Sequence, residues 1–247
     1  MENKAVIVFG ATRGIGLQIA LKYLESGYYP ILIGRSNILS GLGNDYTYLS
    51  IDFDSQITIH LALKKLMDTI KRRGFNLLSI HFLSGGSLGL YADDSEGNMD
   101  KYLQVFRHNA VIPFWLTAEI ERLSYNNVDI LEFHFYSSAV GINKQSHPVY
   151  AASKAALESN VHSMIRCRKD RTFIFLYRMG LVSVEYKYPY KLSLSNPLEF
   201  KKKFMESIPS KHFTSAYEIA EIALNSTLNR SLYNCMIIDI SGGQSWT

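Results

Sequence analysis

The sequence predicts an α/β fold, a doubly wound parallel sheet of about seven strands with helices on both faces. Short runs of β-branched and aromatic residues alternate along the chain with longer segments of helical period. These runs are apolar on both faces, which is typical of parallel strands covered by helices on either side. No repeat, low-complexity stretch or linker interrupts the order, so we expect a single domain over residues 1–247.

The elements follow in strict alternation. Strands are predicted at 4–10, 30–35, 46–51, 77–83, 129–137, 172–178 and 235–240. Helices are predicted near 15–26, 56–73, 99–125, 148–169 and 215–228. Right-handed crossovers between the parallel strands then give a doubly wound sheet, which binds ligands at the carboxyl ends of its strands.

The composition is that of a soluble globular protein, with 47% hydrophobic and 19% charged residues. The net charge of +4 is small, and the basic residues are scattered, so no nucleic-acid partner is expected. The densest basic run, Lys201, Lys202 and Lys203, is interpreted as a solvated helix face.

The two cysteines, Cys167 and Cys235, have no CxxC or metal-ligand spacing, so we expect free thiols, a reducing compartment and no metal. No apolar run is long enough to span a bilayer, and the first residues lack a signal-peptide pattern. These features predict a cytoplasmic protein without a membrane partner.

The first strand continues into "GATRGIG", with glycines at 10, 14 and 16, and an amphipathic helix follows. Glycine allows a sharp reversal and a close approach of backbone N–H groups to a pyrophosphate, and the helix N-terminus adds its positive dipole end. A plain β-turn-α connection is the alternative. The position directly between a strand and a helix favours a dinucleotide site.

This G-x-x-x-G-x-G spacing, with Ala11 and Thr12 inside it, resembles the short-chain dehydrogenase/reductase family, whose Rossmann-like single-domain members have about this length. The resemblance extends from Gly10 to the "DISGG" segment at 239–243. It implies that the turn contacts a nicotinamide cofactor through Gly10, Thr12, Arg13, Gly14, Ile15 and Gly16.

The end of the second strand favours NADP(H) over NAD(H). NAD-preferring sites commonly carry an acidic residue there, for the ribose 2′-hydroxyl, whereas a 2′-phosphate needs cations. Here Gly34 stands at that position, Arg35 follows, and Arg13 lies in the glycine turn. Asp52, after the third strand, resembles the family's adenine-contacting aspartate, although a turn role is equally natural for it.

A tyrosine and a lysine, Tyr150 and Lys154, stand four residues apart in "YAASKAAL", after a strand that ends at Ser138. Reduction of a carbonyl requires a proton donor, and a lysine on the same helical face lowers the pKa of a tyrosine from about 10. The family has a Ser-Tyr-Lys set in this order, with an asparagine on the preceding helix, here Asn109. Each residue alone also fits a plain structural role; their joint placement favours catalysis.

Two family signatures are altered. The usual Asn-Ala-Gly after strand four is Ser84, Gly85 and Gly86 here, and the usual Pro-Gly after strand six is Met179-Gly180. The threonine expected four residues beyond that glycine is Val184. We therefore expect backbone atoms near Val182 to hold the cofactor's carboxamide, and Ser84 and Gly85 to keep the turn's backbone role.

Residues 183–212 carry three of the six prolines and a tyrosine cluster, and they follow a strand's carboxyl end. We expect a substrate lid there, with Tyr186, Tyr188 and Tyr190 facing a ring or a polyol; a surface loop is the alternative. Steroid, sugar, acyl-thioester and quinone-like substrates stay open. The resemblance also implies a homodimer or homotetramer formed through helices 99–125 and 148–169.

The leading function is thus an NADP(H)-dependent carbonyl/alcohol oxidoreductase. A nucleotide-sensing scaffold that has lost catalysis is an alternative, because two turns are altered. A nucleotide-sugar epimerase or dehydratase is another, although 247 residues leave little room for its added substrate domain.

Overall fold

The computed structural model describes residues 3–35, 43, 45–86, 98–139, 147–183, 202, 205–206 and 208–246. It confirms the predicted doubly wound sheet: seven parallel strands lie in the order β3-β2-β1-β4-β5-β6-β9. These strands are β1 (Lys4–Phe9), β2 (Tyr29–Gly34), β3 (Thr47–Ser50), β4 (Leu77–Phe82), β5 (Ile130–Ser138), β6 (Thr172–Met179) and β9 (Met236–Ile240). A separate parallel pair, β7 (Val182–Ser183) and β8 (Thr214–Ser215), was not predicted.

The helices lie close to the predicted segments. They are α1 (Gly14–Glu25), α2 (Gln56–Arg73), α3 (Met99–Phe106), α4 (Ile112–Leu123), α5 (Pro148–Cys167), α6 (Ala216–Leu228) and the short α7 (Arg230–Tyr233). No described helix is long and apolar enough to span a bilayer.

Helices cover both faces of the sheet, and each face has its own core. Helices α2, α4 and α5 pack on one face, where Leu66, Leu116 and Leu157 meet the inward side chains of the strands. Helices α1 and α6 pack on the other face, through residues such as Ile19 and Ile219. Two cores explain why the central strands read as continuous apolar runs.

The predicted helix 99–125 lies at Met99–Leu123, and a π-turn at Arg107–Val111, which was not predicted, divides it into α3 and α4. The Ile112 N–H donates to the Arg107 carbonyl, five residues back. Pro113 has no N–H, so the Asn109 carbonyl lacks the donor that an α-helix supplies four residues on. The proline thus explains why the ladder shifts at this point.

Most of the predicted lid, including Val184, Tyr186, Tyr188 and Tyr190, lies outside the described residues. The described end of this segment is docked on the core. Ile208 is buried, and the Ser210 N–H donates to the Gly242 carbonyl at 3.0 Å. The segment therefore ends against the turn that follows β9.

Candidate active site

The glycine turn packs directly on the end of β4. The Gly10 N–H donates to the Ile33 carbonyl at 2.8 Å, and a Cβ added at Gly10 would lie 2.8 Å from the backbone nitrogen of Ser84. Gly10 also has a φ of +91°, which favours glycine. A Cβ at Gly16 would collide with the Gly10 carbonyl, so the turn and the first residues of α1 form one tight backbone cradle.

Helix α1 begins at Gly14, so Ile15 and Gly16 lie in its first turn. Arg13 is its N-cap but makes no side-chain cap bond, and no acidic residue lies in the first turn. The free N–H groups and the dipole of this helix end therefore face the cradle without an internal anion to balance them.

An acidic side chain at the end of β2 would crowd Thr12. A Cβ on Gly34 would lie 2.8 Å from Cγ2 of Thr12, and the Tyr48 hydroxyl donates to the Gly34 carbonyl at 2.7 Å. Arg13 and Arg35 are both exposed beside this point, and within the described ranges neither guanidinium has a carboxylate partner.

Asp52 lies in the turn after β3, and its side chain is partly engaged there. Its carboxylate accepts from the Asp54 N–H at 3.0 Å, and its backbone bonds to Thr58 on α2. The geometry therefore gives Asp52 a turn role, and its adenine contact stays a prediction.

The turn after β4 is held by Asn109. The Asn109 side chain is buried, accepts from the Gly86 N–H at 2.9 Å and donates to the Gly86 carbonyl at 2.8 Å. A Cβ on Gly85 would lie 2.5 Å from Asn109 Oδ1, so the altered signature places glycine where the usual alanine would crowd this clamp. The Ser84 hydroxyl is buried with no partner among the described residues.

Ser138 ends β5, and Tyr150 lies in the first turn of α5, above the same edge of the sheet. Burial raises the pKa of Tyr150 above its ordinary value, and hydrogen bonding with Ser138 acts in the opposite direction. The phenol therefore holds its proton at neutral pH while it contacts a second hydroxyl.

Lys154 lies one turn further along α5, with its Nζ 5.8 Å from the centre of the Tyr150 ring. Nζ donates to the Tyr136 carbonyl at 2.8 Å. Strand β5 extends three residues past its last pair with β4, Phe82 with Phe135, so this carbonyl lies at an open strand end. Burial lowers the pKa of Lys154 to about 8.

Two further residues, Glu158 and Arg178, belong to the surroundings of Lys154, and neither was predicted from the sequence. Arg178 binds Glu158 through two bonds, at 2.7 and 3.2 Å, and the Glu158 charge raises the pKa of Lys154 against the effect of burial. Tyr150, Lys154 and Glu158 recur at intervals of four along one helical stripe. That spacing, and an arginine in an apolar strand, were the available signals.

The turn after β6 also keeps a close backbone contact. A Cβ on Gly180 would lie 2.8 Å from the Ser241 carbonyl, and the Leu181 N–H donates to Gln244 at 3.0 Å. Val182 follows in β7, where it pairs with Thr214. Met179 in place of proline therefore leaves the path of the backbone fixed by the C-terminal turn.

The described residues fit a nicotinamide dinucleotide. Among the described residues, the first turn of α1 has no acidic side chain to compete with a pyrophosphate, the guanidinium groups of Arg13 and Arg35 have no carboxylate partner, and the Ser84 hydroxyl has no hydrogen-bond partner. All of these groups lie at the carboxyl edge of the sheet, together with Ser138, Tyr150 and Lys154.

The family model described as short chain dehydrogenase matches residues 4–171. The chain belongs to the short-chain dehydrogenase family. This membership makes it an oxidoreductase by family, in agreement with the predicted class. A comparison with curated protein sequences finds no significant match.

Solved structures of the family share the whole fold. A short chain dehydrogenase from Bacillus anthracis is 16% identical with a TM-score of 0.77, covering 98% of this chain and 96% of its own. A 3-oxoacyl-[acyl-carrier protein] reductase from Brucella melitensis in complex with NAD is 18% identical with a TM-score of 0.81, covering 100% and 99%. A 4-hydroxyisoleucine dehydrogenase complexed with NADH is 18% identical with a TM-score of 0.81, covering 99% and 100%. At these identities the likeness establishes the fold.

We predict that Asn109→Ala destabilises the protein by about 1–3 kcal/mol, because it leaves both backbone groups of Gly86 without their partner. Urea unfolding at pH 7 measures this loss. Asn229→Ala is the matched control, since that exposed amide bonds only within its own helix end. Equal stability of the two variants would show that the clamp on Gly86 does not hold the turn.

Proposed function

We propose that this short-chain dehydrogenase is an NADP(H)-dependent oxidoreductase that interconverts a carbonyl and a secondary alcohol, with Tyr150 as the general acid/base. The observation that carries the proposal is the position of Tyr150 between the Ser138 hydroxyl and the Lys154 ammonium, at the edge that also carries the glycine cradle. A proton donor, a hydrogen-bond partner for oxygen and a cation are what carbonyl reduction requires.

The cofactor would be held by the groups around the cradle. Thr12, Gly14, Ile15 and Gly16 would offer backbone N–H groups to the pyrophosphate, and Gly10, whose own N–H is bonded to Ile33, would let the backbone turn close to it. A second set would contact the rest of the molecule: Arg13, Arg35, Asp52, Ser84, Gly85, Tyr150, Lys154 and Val182. When bound, the nicotinamide supplies the hydride that the carbonyl carbon accepts.

Two features support the preference for NADP(H): position 34 is a glycine with little space for an acidic side chain, and two arginines lie beside it. An aspartate at position 34 would meet Thr12, whereas Arg13 and Arg35 have no carboxylate partner among the described residues and could bind a 2′-phosphate. Two family structures hold NAD or NADH, but at 18% identity they carry no argument for this chain's choice.

The proton steps follow from the two pKa shifts. Tyr150 enters as the neutral phenol, and in the reductive direction its proton passes to the substrate oxygen as the C–H bond forms. Ser138 would hold that oxygen in line with Tyr150. Lys154 would stabilise the resulting phenolate by its charge. In the oxidative direction the same phenolate takes the proton from the alcohol.

Asn109 would serve this site through its backbone. Because Pro113 cannot donate to the Asn109 carbonyl, we propose that this oxygen accepts from a water molecule that returns a proton towards Lys154. The Asn109 side chain is committed to Gly86, so its amide would fix the turn rather than move a proton.

The substrate class stays open among small carbonyl and alcohol compounds, and residues 183–212 are proposed as the lid that selects it. We also propose a homodimer or homotetramer in the cytoplasm, as the family resemblance implies.

Tyr150→Phe is expected to lower the turnover of any carbonyl substrate by about 10²–10⁴-fold, since it removes the general acid. NADPH affinity should stay within about threefold, because the ring and its position are kept. Oxidation of NADPH with a panel of aldehydes, ketones, quinones and a 3-oxoacyl thioester measures turnover, and nicotinamide fluorescence measures binding. Tyr125→Phe, at an exposed helix end, is the control. Undiminished turnover in Tyr150→Phe would overturn the proposed function.

The pH dependence of reduction should report Lys154. Burial lowers its pKa to about 8, so the ammonium is present below that pH and lost above it. We expect kcat/KM, which reports groups of the free enzyme, to fall above about pH 8. In Lys154→Arg the charge persists to about pH 10 and above, so the fall at pH 8 should vanish even if the rate is lower. An unchanged alkaline limb in Lys154→Arg would assign the titration to another group.

A further inference from the structure

A layer of polar side chains lies in the core between the sheet and helices α1 and α6, where a parallel sheet ordinarily buries apolar residues. These side chains are 0–1% exposed. They come from three adjacent strands and the two helices: Ser79, His81, Glu132, His134, Tyr136, Tyr177, Tyr23 and Thr227. Buried donors and acceptors must find partners inside the protein, so their bonds are strongly constrained.

One serine connects two stacked histidines. The rings of His81 and His134 are parallel, with centres 4.1 Å apart, and the Ser79 hydroxyl lies 3.1 Å from Nε2 of each. On the other side of each ring, His81 Nδ1 is 2.8 Å from the Tyr136 hydroxyl and His134 Nδ1 is 2.9 Å from the Tyr177 hydroxyl. The five side chains therefore form one continuous chain of hydrogen bonds.

The proton count of this chain sets the histidine tautomers. A neutral imidazole has one N–H, and Ser79 has one proton to donate. Two other acceptors are less suited to that proton. Thr227 Oγ1 is 3.5 Å away, which is long for O–H···O, and the Glu132 carboxylate, whose pKa Ser79 lowers, already accepts from Thr227 and Arg230. Ser79 therefore donates to one histidine and accepts from the other, so the two rings carry opposite tautomers.

The ends of the chain fix its direction. Within the described core, the Tyr136 hydroxyl bonds only to His81 Nδ1, so it must donate there and His81 carries its proton on Nε2. Ser79 then donates to His134 Nε2, and His134 Nδ1–H donates to Tyr177. The Tyr177 proton can pass to Ser226, whose hydrogen bond lowers the pKa of Tyr177. Every proton in the chain then has an acceptor.

A second proton on His81 or His134 would find no well-placed acceptor in this chain of hydrogen bonds. A second N–H on His81 would face the Tyr136 proton and break that bond of the chain. One on His134 would face the Ser79 proton, and the other acceptor near it, Thr227 Oγ1, is 3.3 Å away, which is long for N–H···O. Burial lowers the pKa of both histidines well below the ordinary value, and each charge would repel the other. Glu132, 3.9 Å from His134 Nε2, offers little compensation because Arg230 already binds it at 2.6 Å.

The chain also joins the elements that build the site. Its strand members lie shortly before Ser138, at the end of β5, and before the turns that carry Ser84 and Gly180. Helix α6 is attached through Thr227, which donates to Glu132 at 3.0 Å, and helix α1 through Tyr23, whose hydroxyl is 2.7 Å from Thr227 and whose ring meets His81 edge-on. We propose that the layer is an acid-sensitive lock, which holds α1 and α6 on the sheet only while His81 and His134 are both neutral and in opposite tautomers.

Urea unfolding between pH 8 and pH 5.5 tests the lock without any substrate or cofactor. The folded state keeps both histidines neutral, whereas the unfolded chain binds protons near pH 6.5, so stability is full above that pH and is lost below it. Each buried histidine should raise the unfolding equilibrium constant about tenfold per pH unit below 6.5. Below pH 6.5, the unfolding equilibrium constant of the wild type should therefore rise about hundredfold more per pH unit than that of the His81→Gln/His134→Gln variant.

His162→Gln, on the exposed surface of α5, is the matched control and should keep the wild-type pH dependence. Equal slopes in the wild type and the double variant would overturn the proposal.

Nitrogen-15 NMR of the folded wild type tests the tautomers even if the double variant does not fold. We expect His81 as the Nε2–H form and His134 as the Nδ1–H form, both neutral down to about pH 6. The same tautomer in both rings, or an imidazolium signal above pH 6, would contradict the lock.

Discussion

The contact between two backbone turns is the constraint on which this site depends. The Gly10 turn lies against Leu83 and Ser84 with no space for a Cβ, and the Leu83 N–H donates to the Phe9 carbonyl at 2.9 Å. The turn after β4 is held in the same way from its other side by Asn109. Glycine cradle, strand end and helix break are thus fixed relative to one another by backbone atoms, which leaves the side chains above them free for chemistry.

Burial acts on the two reactive groups in a complementary way. It raises the pKa of Tyr150 and lowers that of Lys154, so each group is moved towards its neutral form. The two pKa values are therefore further apart than in water, and that of Tyr150 now lies above that of Lys154, so at neutral pH the phenol keeps its proton beside a lysine that is still mostly charged. The Glu158 carboxylate, held in place by Arg178, raises the pKa of Lys154 and so opposes part of the effect of burial.

The fold could be predicted because central parallel strands must be apolar on both faces, and this leaves a plain pattern in the sequence. Tyr150, Lys154 and Ser138 could be placed because the ends of parallel strands meet at one edge. The π-turn was missed because a helical period of side chains continues across it, and only Pro113 marked it. The polar layer was missed because its partners are far apart in sequence, Ser79 and His134 or Glu132 and Arg230, so no local pattern reveals that they meet.

The most direct test of the account is a fluorescence titration of the purified protein with NADPH and NADH side by side. We expect the nicotinamide fluorescence of both nucleotides to change on binding, and NADPH to bind about tenfold tighter or more, the gain that one charge-assisted phosphate contact can supply. Binding of neither nucleotide would contradict it, because the cradle at Gly10 would then be a structural turn and the protein a scaffold without cofactor chemistry.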